Sequence, residues 1–407
     1  MRHSIELLAP AGDLYRLKTA VRYGADAVYI GGKELSLRSR AGNFSIEEIK
    51  EGVEFANQYG AKVYVTVNMI PHDEDFREVE KYFKSLEEAG VSAIIVASIH
   101  LMKLCKKVAP KMEVHISTQQ TTTNTLTVDY WKEIGADRVV LAREVTLAEM
   151  KEIASTTSLP LEVFIHGGMC VNYSGRCTLS NVMTLRDANR GGCAQSCRWK
   201  YRMYNEENEL VSKDDCLFSM SSKDLQAASV ITELMDMGID SLKIEGRMKT
   251  AYYIATVVKA YRQLIDTYHK NGKVTEEEMA KFQRELAKAE NRPAYSGFYY
   301  GLPPKEGHLY GVNGAGVIQD FVAYVLDYDK ESQMATIQVR NHFTSGTQME
   351  VLSPTIDNET FVVGKLYTLD GEEIDVAKQP MQVLKTHIPF VVEKEDMIRK
   401  VRETVCR

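Results

Sequence analysis

The first 250 residues repeat one pattern: a short apolar run, a polar turn, and a stretch whose apolar residues recur at helical spacing. The apolar runs lack strict alternation, which is typical of strands buried on both faces of a parallel sheet. Eight runs lie at residues 5–8, 27–30, 63–67, 93–96, 113–116, 138–141, 161–165 and 241–244. This number of β/α units in this length predicts an α/β fold of the TIM-like (β/α)8 barrel type. A doubly wound open sheet is the alternative.

Helix start signals support this interpretation. Ser45 with Glu48, and Thr146 with Glu149, have the spacing of a capping box, in which the two side chains satisfy free N–H groups at the first turn. Further helices are predicted at 252–270 and at 275–290. We therefore expect a barrel domain over residues 1–290, with these two helices at its end.

One connection is far longer than the others. About 75 residues separate the seventh run from the eighth, and connections longer than about 15 residues are usually functional or separately structured. This insertion, about residues 167–240, contains five of the seven cysteines of the chain. Because both barrels and open sheets bind ligands at the C-terminal ends of their strands, we expect the insertion to lie at the active face.

The pattern changes after residue 290. A segment rich in Gly, Pro and Tyr at 291–316 is predicted to be a linker, and residues 317–407 are predicted to form a small β-rich domain, an antiparallel barrel or sandwich. Its expected strands lie at 317–328, 334–340, 348–352, 360–367 and 381–386, separated by turn signals. Residues 394–407 are expected to form a short helix.

Composition narrows the function classes. No run of about 18 apolar residues is present and the N-terminus lacks the apolar region of a signal peptide, so a cytoplasmic protein without a membrane partner is expected. In that reducing compartment clustered cysteines favour a metal or catalytic role over disulfides. The net charge of −6 argues against a nucleic-acid binder unless a local basic patch exists.

The cysteines Cys170, Cys177, Cys193 and Cys197 have the spacing C-x6-C-x15-C-x3-C. Four thiolates can hold either Zn²⁺ or an iron–sulfur cluster, and the first gap is loose for a structural zinc site. We therefore favour a cluster, with zinc as the alternative, and either could merely fold the insertion. A radical-SAM motif is excluded because its third cysteine would stand where Lys200 is.

A local basic patch does exist. Residues 186–202 contain five cations against Asp187 alone, a charge of +4, and Trp199 and Tyr201 add surfaces on which unpaired bases stack. Arginine and lysine could equally clamp a dicarboxylate. The candidates for contacts with RNA or another anion are Arg186, Arg190, Arg198, Lys200, Arg202 and Lys249.

Three residues at strand ends are candidates for catalysis: His166 after the seventh run, and Glu245 and Arg247 after the eighth. Glu245 could orient Arg247 or transfer a proton, and His166 could instead be a hydrogen-bonded structural residue. Hydrolase chemistry has little support, because the sequence contains neither the G-x-S-x-G nor the H-E-x-x-H pattern.

Several long motifs resemble the collagenase-like peptidase family U32. They lie at residues 5–12 (IELLAPAG), 25–31 (ADAVYIG), 115–119 (HISTQ), 166–177, 222–224 and 241–249 (SLKIEGRMK). The resemblance implies a 4Fe–4S cluster and oxygen-independent hydroxylation, since better understood members of the family hydroxylate wobble uridine in tRNA, ribosomal RNA cytidine or the ubiquinone ring. The CRWKY stretch at 197–201 is most similar to the tRNA branch, which implies prephenate as the hydroxyl donor.

By this resemblance the cluster ligands are Cys170, Cys177, Cys193 and Cys197, with Cys216 as an alternative for the fourth. The chain departs from many relatives at Gln226, where they have a cysteine. Three functions are therefore expected in order: a tRNA uridine hydroxylase, a peptidase of the U32 type, or a cluster-bearing, non-catalytic partner of a paralogue.

Overall fold

The computed structural model of the chain describes residues 5–37, 42–212, 217–289, 292–309 and 320–401. The chain divides into two compact units, one of residues 1–284 with 290–316 and one of residues 285–289 with 317–407. None of the helices in the described ranges is long and apolar enough to cross a membrane.

The first unit is built on a closed barrel. Its strands are β1 (Glu6–Pro10), β2 (Ala27–Gly31), β3 (Lys62–Val67), β4 (Ala93–Val96), β5 (Glu113–Ile116), β6 (Arg138–Val140), β7 (Leu161–Gly167), β8 (Ser221–Ser222), β9 (Asp224–Gln226), β10 (Ser241–Ile244), β11 (Ala294–Tyr295) and β12 (His308–Leu309). Within the described residues, β1 to β7 pair in sequence order and in parallel, and β10 pairs with both β7 and β1. This closure confirms the TIM-like barrel and excludes the open sheet.

Eight of the helices in the described ranges form the second halves of the β/α units, one lies in the long insertion and one follows the eighth unit. They are α1 (Leu14–Arg22), α2 (Ile46–Gln58), α3 (Val79–Glu88), α4 (Ile99–Val108), α5 (Thr125–Glu133), α6 (Leu147–Thr156), α7 (Leu179–Thr184), α8 (Ile231–Asp236), α9 (Ala251–Asn271) and α10 (Glu276–Ala287). The predicted capping boxes of α2 and α6 are present, with each side chain bonded to the backbone N–H of the other residue. Long α9 follows β10 and therefore completes the eighth β/α unit.

The barrel interior contains buried charges. Glu162 on β7 is fully buried, and its carboxylate accepts hydrogen bonds from Lys243 Nζ at 2.7 Å and Arg138 Nη1 at 3.3 Å. Arg138 also donates to Glu6 at 2.6 Å. Burial acts to raise the pKa of Glu162, but the two cations outweigh it and hold that pKa below its usual range. The interior is thus fixed by paired charges as well as by apolar packing.

The long insertion carries little regular structure. Short strand β9 pairs antiparallel with β7 and parallel with β11, while β8 pairs with β12. The described part of the segment predicted as a linker therefore contributes two strands to the first unit. Between β7 and β8 the chain forms helix α7 and single 3₁₀ turns at Tyr173–Gly175, Ala188–Arg190 and Ser196–Arg198. The alternative ligand Cys216 lies outside the described residues.

The second unit is an antiparallel sheet, as predicted. Its strands are β13 (Phe321–Asp329), β14 (Met334–Val339), β15 (Phe343–Thr344), β16 (Gln348–Leu352), β17 (Thr360–Val362), β18 (Leu366–Tyr367), β19 (Glu373–Ile374), β20 (Val376–Ala377), β21 (Val383–His387) and β22 (Met397–Lys400). The main sheet has the order β17-β16-β22-β13-β14-β21-β18-β19, and β15 pairs with β20. Its core includes Val322, Ile337, Val351 and Leu384.

The prediction of a helix at 394–407 is wrong for the part of this segment that the structure describes. Met397–Lys400 forms β22, which lies between β16 and β13 and pairs with both. Two neighbouring strands supply the backbone hydrogen bonds of this segment, and tertiary pairing of this kind overrides local helix propensity.

Candidate functional site

A cavity of about 310 Å³ lies at the C-terminal ends of the barrel strands. Side chains that follow several strands line it, and so does the long insertion. All four predicted ligands, Cys170, Cys177, Cys193 and Cys197, are among the lining residues. A larger cavity of about 530 Å³ lies among α8, α9 and the start of α10, but none of the predicted site residues lines it. The smaller cavity is therefore the candidate site.

The cysteine segment is attached to the barrel through Gly167 and Glu144. Gly167 has φ +107°, and a Cβ atom there would lie 2.4 Å from the carbonyl oxygen of Glu245, so only glycine allows β7 and β10 to approach at this point. Beyond it, Glu144 accepts a hydrogen bond from the backbone N–H of Ser174 at 2.8 Å. That bond holds the turn between Cys170 and Cys177 against the loop after β6.

A second attachment fixes the middle of the insertion. Asn189 forms two hydrogen bonds with the backbone of Cys177, accepting from its N–H at 3.3 Å and donating to its carbonyl at 3.0 Å. The neighbouring Arg190 donates to Asp75 at 2.5 Å and to the carbonyl of Ile70 at 3.0 Å. The hydrogen bond from Arg190 holds the pKa of Asp75 below its usual range. Arg190 was predicted to contact an anionic ligand, and the structure pairs it with a carboxylate of the chain.

Cys197 lies within electrostatic reach of the other three predicted ligands. All four are free of disulfides. Burial raises the pKa of the Cys197 thiol, Arg198 opposes that effect, and the charges of Cys170, Cys193 and Cys177 raise the pKa further. Cys105, by contrast, is buried in α4, where burial raises its pKa to about 12. The charges of Cys170, Cys177 and Cys193 thus act on Cys197, whereas Cys105 lies apart from them in α4.

The arrangement can be compared with the donor sets of known metal sites. Among the residues that the structure describes, no three His, Cys, Asp or Glu side chains are arranged to hold a metal ion. Four unpaired thiols around one cavity have the chemistry of an iron–sulfur ligand set, and the backbone N–H of Leu179 donates to Cys177 Sγ at 3.3 Å, as amides do toward cluster sulfurs. The donor chemistry fits such a cluster, and the ligand assignment stays a prediction.

The remaining basic candidates differ in their surroundings. Arg198 lines the cavity and donates to the carbonyl of Met169 at 3.3 Å. Lys200 and Arg202 are exposed on the insertion, as is Trp199 with 41% of its surface accessible, whereas Arg186 is half-buried. Exposed cations around an exposed indole are the features that bind unpaired nucleotides.

The residues that follow β10 form another part of the cavity wall. Arg247 is buried and donates to Ser36 Oγ at 2.9 Å and to Thr66 Oγ1 at 3.2 Å. Lys249 Nζ lies 3.7 Å from Asp224 Oδ2. Glu245 lies 3.5 Å from Arg143 Nη2. All of these groups line the cavity except Ser36, so this wall carries both cations and carboxylates.

His166 lies behind the cavity rather than among its lining residues. It is buried, and its Nδ1 is 3.2 Å from the hydroxyl of Tyr261. Burial and the nearby charge of Lys249 lower its pKa to about 3, so this imidazole is neutral at ordinary pH. These surroundings are those of a structural histidine.

The lining also includes polar residues that were not predicted as site residues, among them Gln119, Arg143 and Lys243. Arg143 stacks on Phe164, with 3.7 Å between its guanidinium carbon and the ring centre. Lys243 lies within β10, where its charge is neutralised by Glu162. A lysine inside a buried apolar run is the one signal by which Lys243 could have been found.

The protein is thus a (β/α)8-barrel protein with a four-cysteine insertion. The strand ends and the insertion together enclose one cavity. The model of Peptidase family U32 matches residues 12–309, and that of the Peptidase family U32 C-terminal domain matches residues 318–399. The chain therefore belongs to peptidase family U32.

Three relatives carry names that bear on function. The chain is 48% identical over 401 residues to the tRNA hydroxylation protein P1 of Bacillus subtilis, covering 97% of this chain and 94% of that one. It is 39% identical over 264 residues to the 23S rRNA 5-hydroxycytidine C2501 synthase of Escherichia coli, covering 65% and 40%. It is 32% identical over 367 residues to a Collagenase of Porphyromonas gingivalis, covering 87% of each.

Proposed function

We propose that this chain is an RNA-hydroxylating enzyme that installs a hydroxyl group on the wobble uridine of tRNA. The observation that carries the proposal is the 48% identity to a tRNA hydroxylation protein along nearly the whole of both chains. The geometry supports it, because one cavity combines four thiols with strand-end cations, beside an exposed basic segment that includes Trp199.

We propose a 4Fe–4S cluster as the resident cofactor, held by Cys170, Cys177, Cys193 and Cys197. Such a cluster would supply one-electron or Lewis-acid chemistry at the cavity. Glu144 and Asn189 would keep two turns of the ligand loop in place through their hydrogen bonds to Ser174 and Cys177. Zinc is the alternative, and metal analysis distinguishes the two.

The hydroxyl donor is proposed to be prephenate, a dicarboxylate. Lys249 and Arg143 are the cations proposed to receive its carboxylates, because both line the cavity and each already lies near a carboxylate of the chain that a ligand can displace. Arg247 would position this wall through its bonds to Ser36, in the loop after β2, and to Thr66, near the end of β3.

Peptidase chemistry has weaker geometric support. A serine or cysteine hydrolase needs a histidine hydrogen-bonded to its nucleophile. His166 contacts Tyr261, and His115, the other histidine that is buried in the described part of the chain, lies 3.0 Å from Glu113 on the same strand. If the chain is instead a non-catalytic partner of a paralogue, hydroxylation activity should be found only when a second family member co-purifies with it.

The test is complementation. A strain lacking this gene and its paralogues is supplied with wild-type protein, Cys193→Ser or the control Cys105→Ser, and its tRNA nucleosides are analysed by mass spectrometry. We expect 5-hydroxyuridine derivatives to be restored by wild type and Cys105→Ser and not by Cys193→Ser. If the deletion strain contained the same 5-hydroxyuridine derivatives as its parent strain, the proposal would be refuted.

Anaerobic purification tests the cofactor. About four irons and four sulfides per chain are expected for one cubane cluster. One zinc without sulfide would overturn that part of the proposal.

A further inference from the structure

Gln119 is a buried side chain that faces the cavity without a partner. Only 3% of its surface is accessible, and it belongs to the cavity lining. Within the parts of the chain described, neither its amide nitrogen nor its amide oxygen has a hydrogen-bond partner. Buried polar groups are almost always paired, so each exception needs an explanation.

The turn that carries Gln119 is firmly held. Thr118 Oγ1 donates to the carbonyl of Leu141 at 3.1 Å, Gln120 Nε2 donates to the carbonyl of Ala97, and the backbone N–H of Gln119 donates to Ser117 Oγ at 3.3 Å. The side chains of its two neighbours thus bond to the backbone of the barrel, whereas the carboxamide of Gln119 lies at the cavity. Burying such a group unpaired is costly, which points to a ligand that supplies both a donor and an acceptor.

A nucleobase edge has this chemistry. A carboxamide presents an N–H donor beside a carbonyl acceptor in one plane, and uracil presents a ring N–H beside a carbonyl on its Watson–Crick edge. The two form a pair of parallel hydrogen bonds, and this pairing leaves the opposite edge with the 5-position carbon open.

The position of Gln119 in the ring of strands is compatible with the hydroxyl donor. Gln119 follows β5, and Lys249 follows β10, three strands further around the closed barrel. A base held at Gln119 and a dicarboxylate held at Lys249 would therefore meet from different sides of one cavity.

We propose that Gln119 binds the Watson–Crick edge of the target uracil after this base is extruded into the cavity. The proposal rests on the function proposed above, since it assumes that RNA reaches this site. Gln119 is then a specificity-determining residue, and it is the last residue of the motif at 115–119.

The test compares two RNAs and two neighbouring glutamines. Anticodon stem-loops with uridine or an abasic site at the wobble position are titrated anaerobically against wild type, Gln119→Met and the matched control Gln120→Met, which alters a residue outside the cavity lining. Wild type is expected to prefer the uridine RNA about tenfold or more, the range of a bidentate base contact. Gln119→Met should lose that preference and keep its affinity for the abasic RNA.

Thermal unfolding separates a ligand contact from a structural role. Gln119→Met removes an unpaired buried amide, so its melting temperature should equal or exceed that of wild type. Gln120→Met removes a bond to Ala97, so its melting temperature should fall while the preference for uridine RNA persists. Gln119→Glu, which keeps the shape but loses the donor, should also lose the preference.

Three results would overturn the inference. Gln119→Met could retain the preference for uridine, it could weaken both RNAs equally with a lower melting temperature, or it could weaken binding of prephenate alone, which would assign Gln119 to the co-substrate. If wild type bound neither RNA, the proposed function itself would fail and this contact with it.

Discussion

Replacing Lys243 by methionine should destabilise the barrel unit far more than the loss of an ordinary ion pair does. Lys243 is 4% exposed and donates to Glu162, which is fully buried. Methionine fills a similar volume but leaves the carboxylate with Arg138 as its one remaining cation, at 3.3 Å.

Removing one partner of a buried pair costs about 3–5 kcal/mol. Because Arg138 still compensates Glu162, we expect the lower end of that range, about 3 kcal/mol, for Lys243→Met. The matched control is Lys18→Met, which breaks the pair with Glu51 at 2.7 Å, whose side chains are 33% and 57% exposed. Exposed pairs contribute less than about 1 kcal/mol.

Urea unfolding followed by tryptophan fluorescence measures this difference. Both tryptophans of the chain, Trp131 and Trp199, lie in the first unit, so the signal follows that unit alone. The double variant Glu162→Gln/Lys243→Met should recover part of the loss, because no unpaired carboxylate remains. Equal destabilisation by Lys243→Met and Lys18→Met would refute the argument that the interior charges depend on each other.

The pH dependence of the same variants has a defined sign. The pKa of Glu162 in the folded protein lies below its unfolded value. Its contribution to stability is therefore complete above an unfolded pKa of about 4.3 and is lost as the pH falls through the folded pKa. Lys243→Met raises the folded pKa, so the stability difference between wild type and variant should shrink in acid.

Asn189→Ala removes both hydrogen bonds to the Cys177 backbone. The thiol of Cys177 in metal-free protein should therefore be alkylated severalfold faster than in wild type. An unchanged alkylation rate would mean that Asn189 does not hold this turn. Cys197→Ser should lower bound iron and sulfide while Cys105→Ser leaves both unchanged, and equal metal content in the two variants would remove Cys197 from the ligands. The depressed pKa of His166, about 3, means that stability should fall as the pH drops below about 6.5 toward that value. His166→Asn should reduce this dependence of stability on pH. The same dependence in wild type and variant would contradict the conclusion that His166 is buried in its neutral form.

The barrel was predictable because each of its strands has a local sequence signal. Residues 93–96, 113–116 and 241–244 are apolar runs whose predicted bounds coincide with β4, β5 and β10. A parallel strand between two others is buried on both faces, so its composition alone records its environment.

The insertion was located by its cysteines, but its internal arrangement was not predictable. Arg190 counted toward a basic patch in the sequence, yet its carboxylate partner, Asp75, lies 115 residues earlier in the chain. A charge count cannot detect such pairing, because the pairing depends on how distant loops meet.

Gln119 and β22 show the same limit in different ways. Gln119 belongs to the motif at residues 115–119, but its lack of a partner follows from the bonds that its neighbours make with Leu141 and Ala97. The segment Met397–Lys400 looked helical, and two distant strands made it part of a sheet. Long-range contacts decided both outcomes.

The most direct test of the central claim uses purified components. Protein loaded anaerobically with its cluster is incubated with prephenate and tRNA isolated from the deletion strain, and the tRNA nucleosides are then analysed by mass spectrometry. We expect 5-hydroxyuridine to appear at the wobble position with wild-type protein and not with Cys193→Ser. Unmodified uridine after incubation with fully loaded wild-type protein would contradict the claim that this chain is itself the hydroxylase.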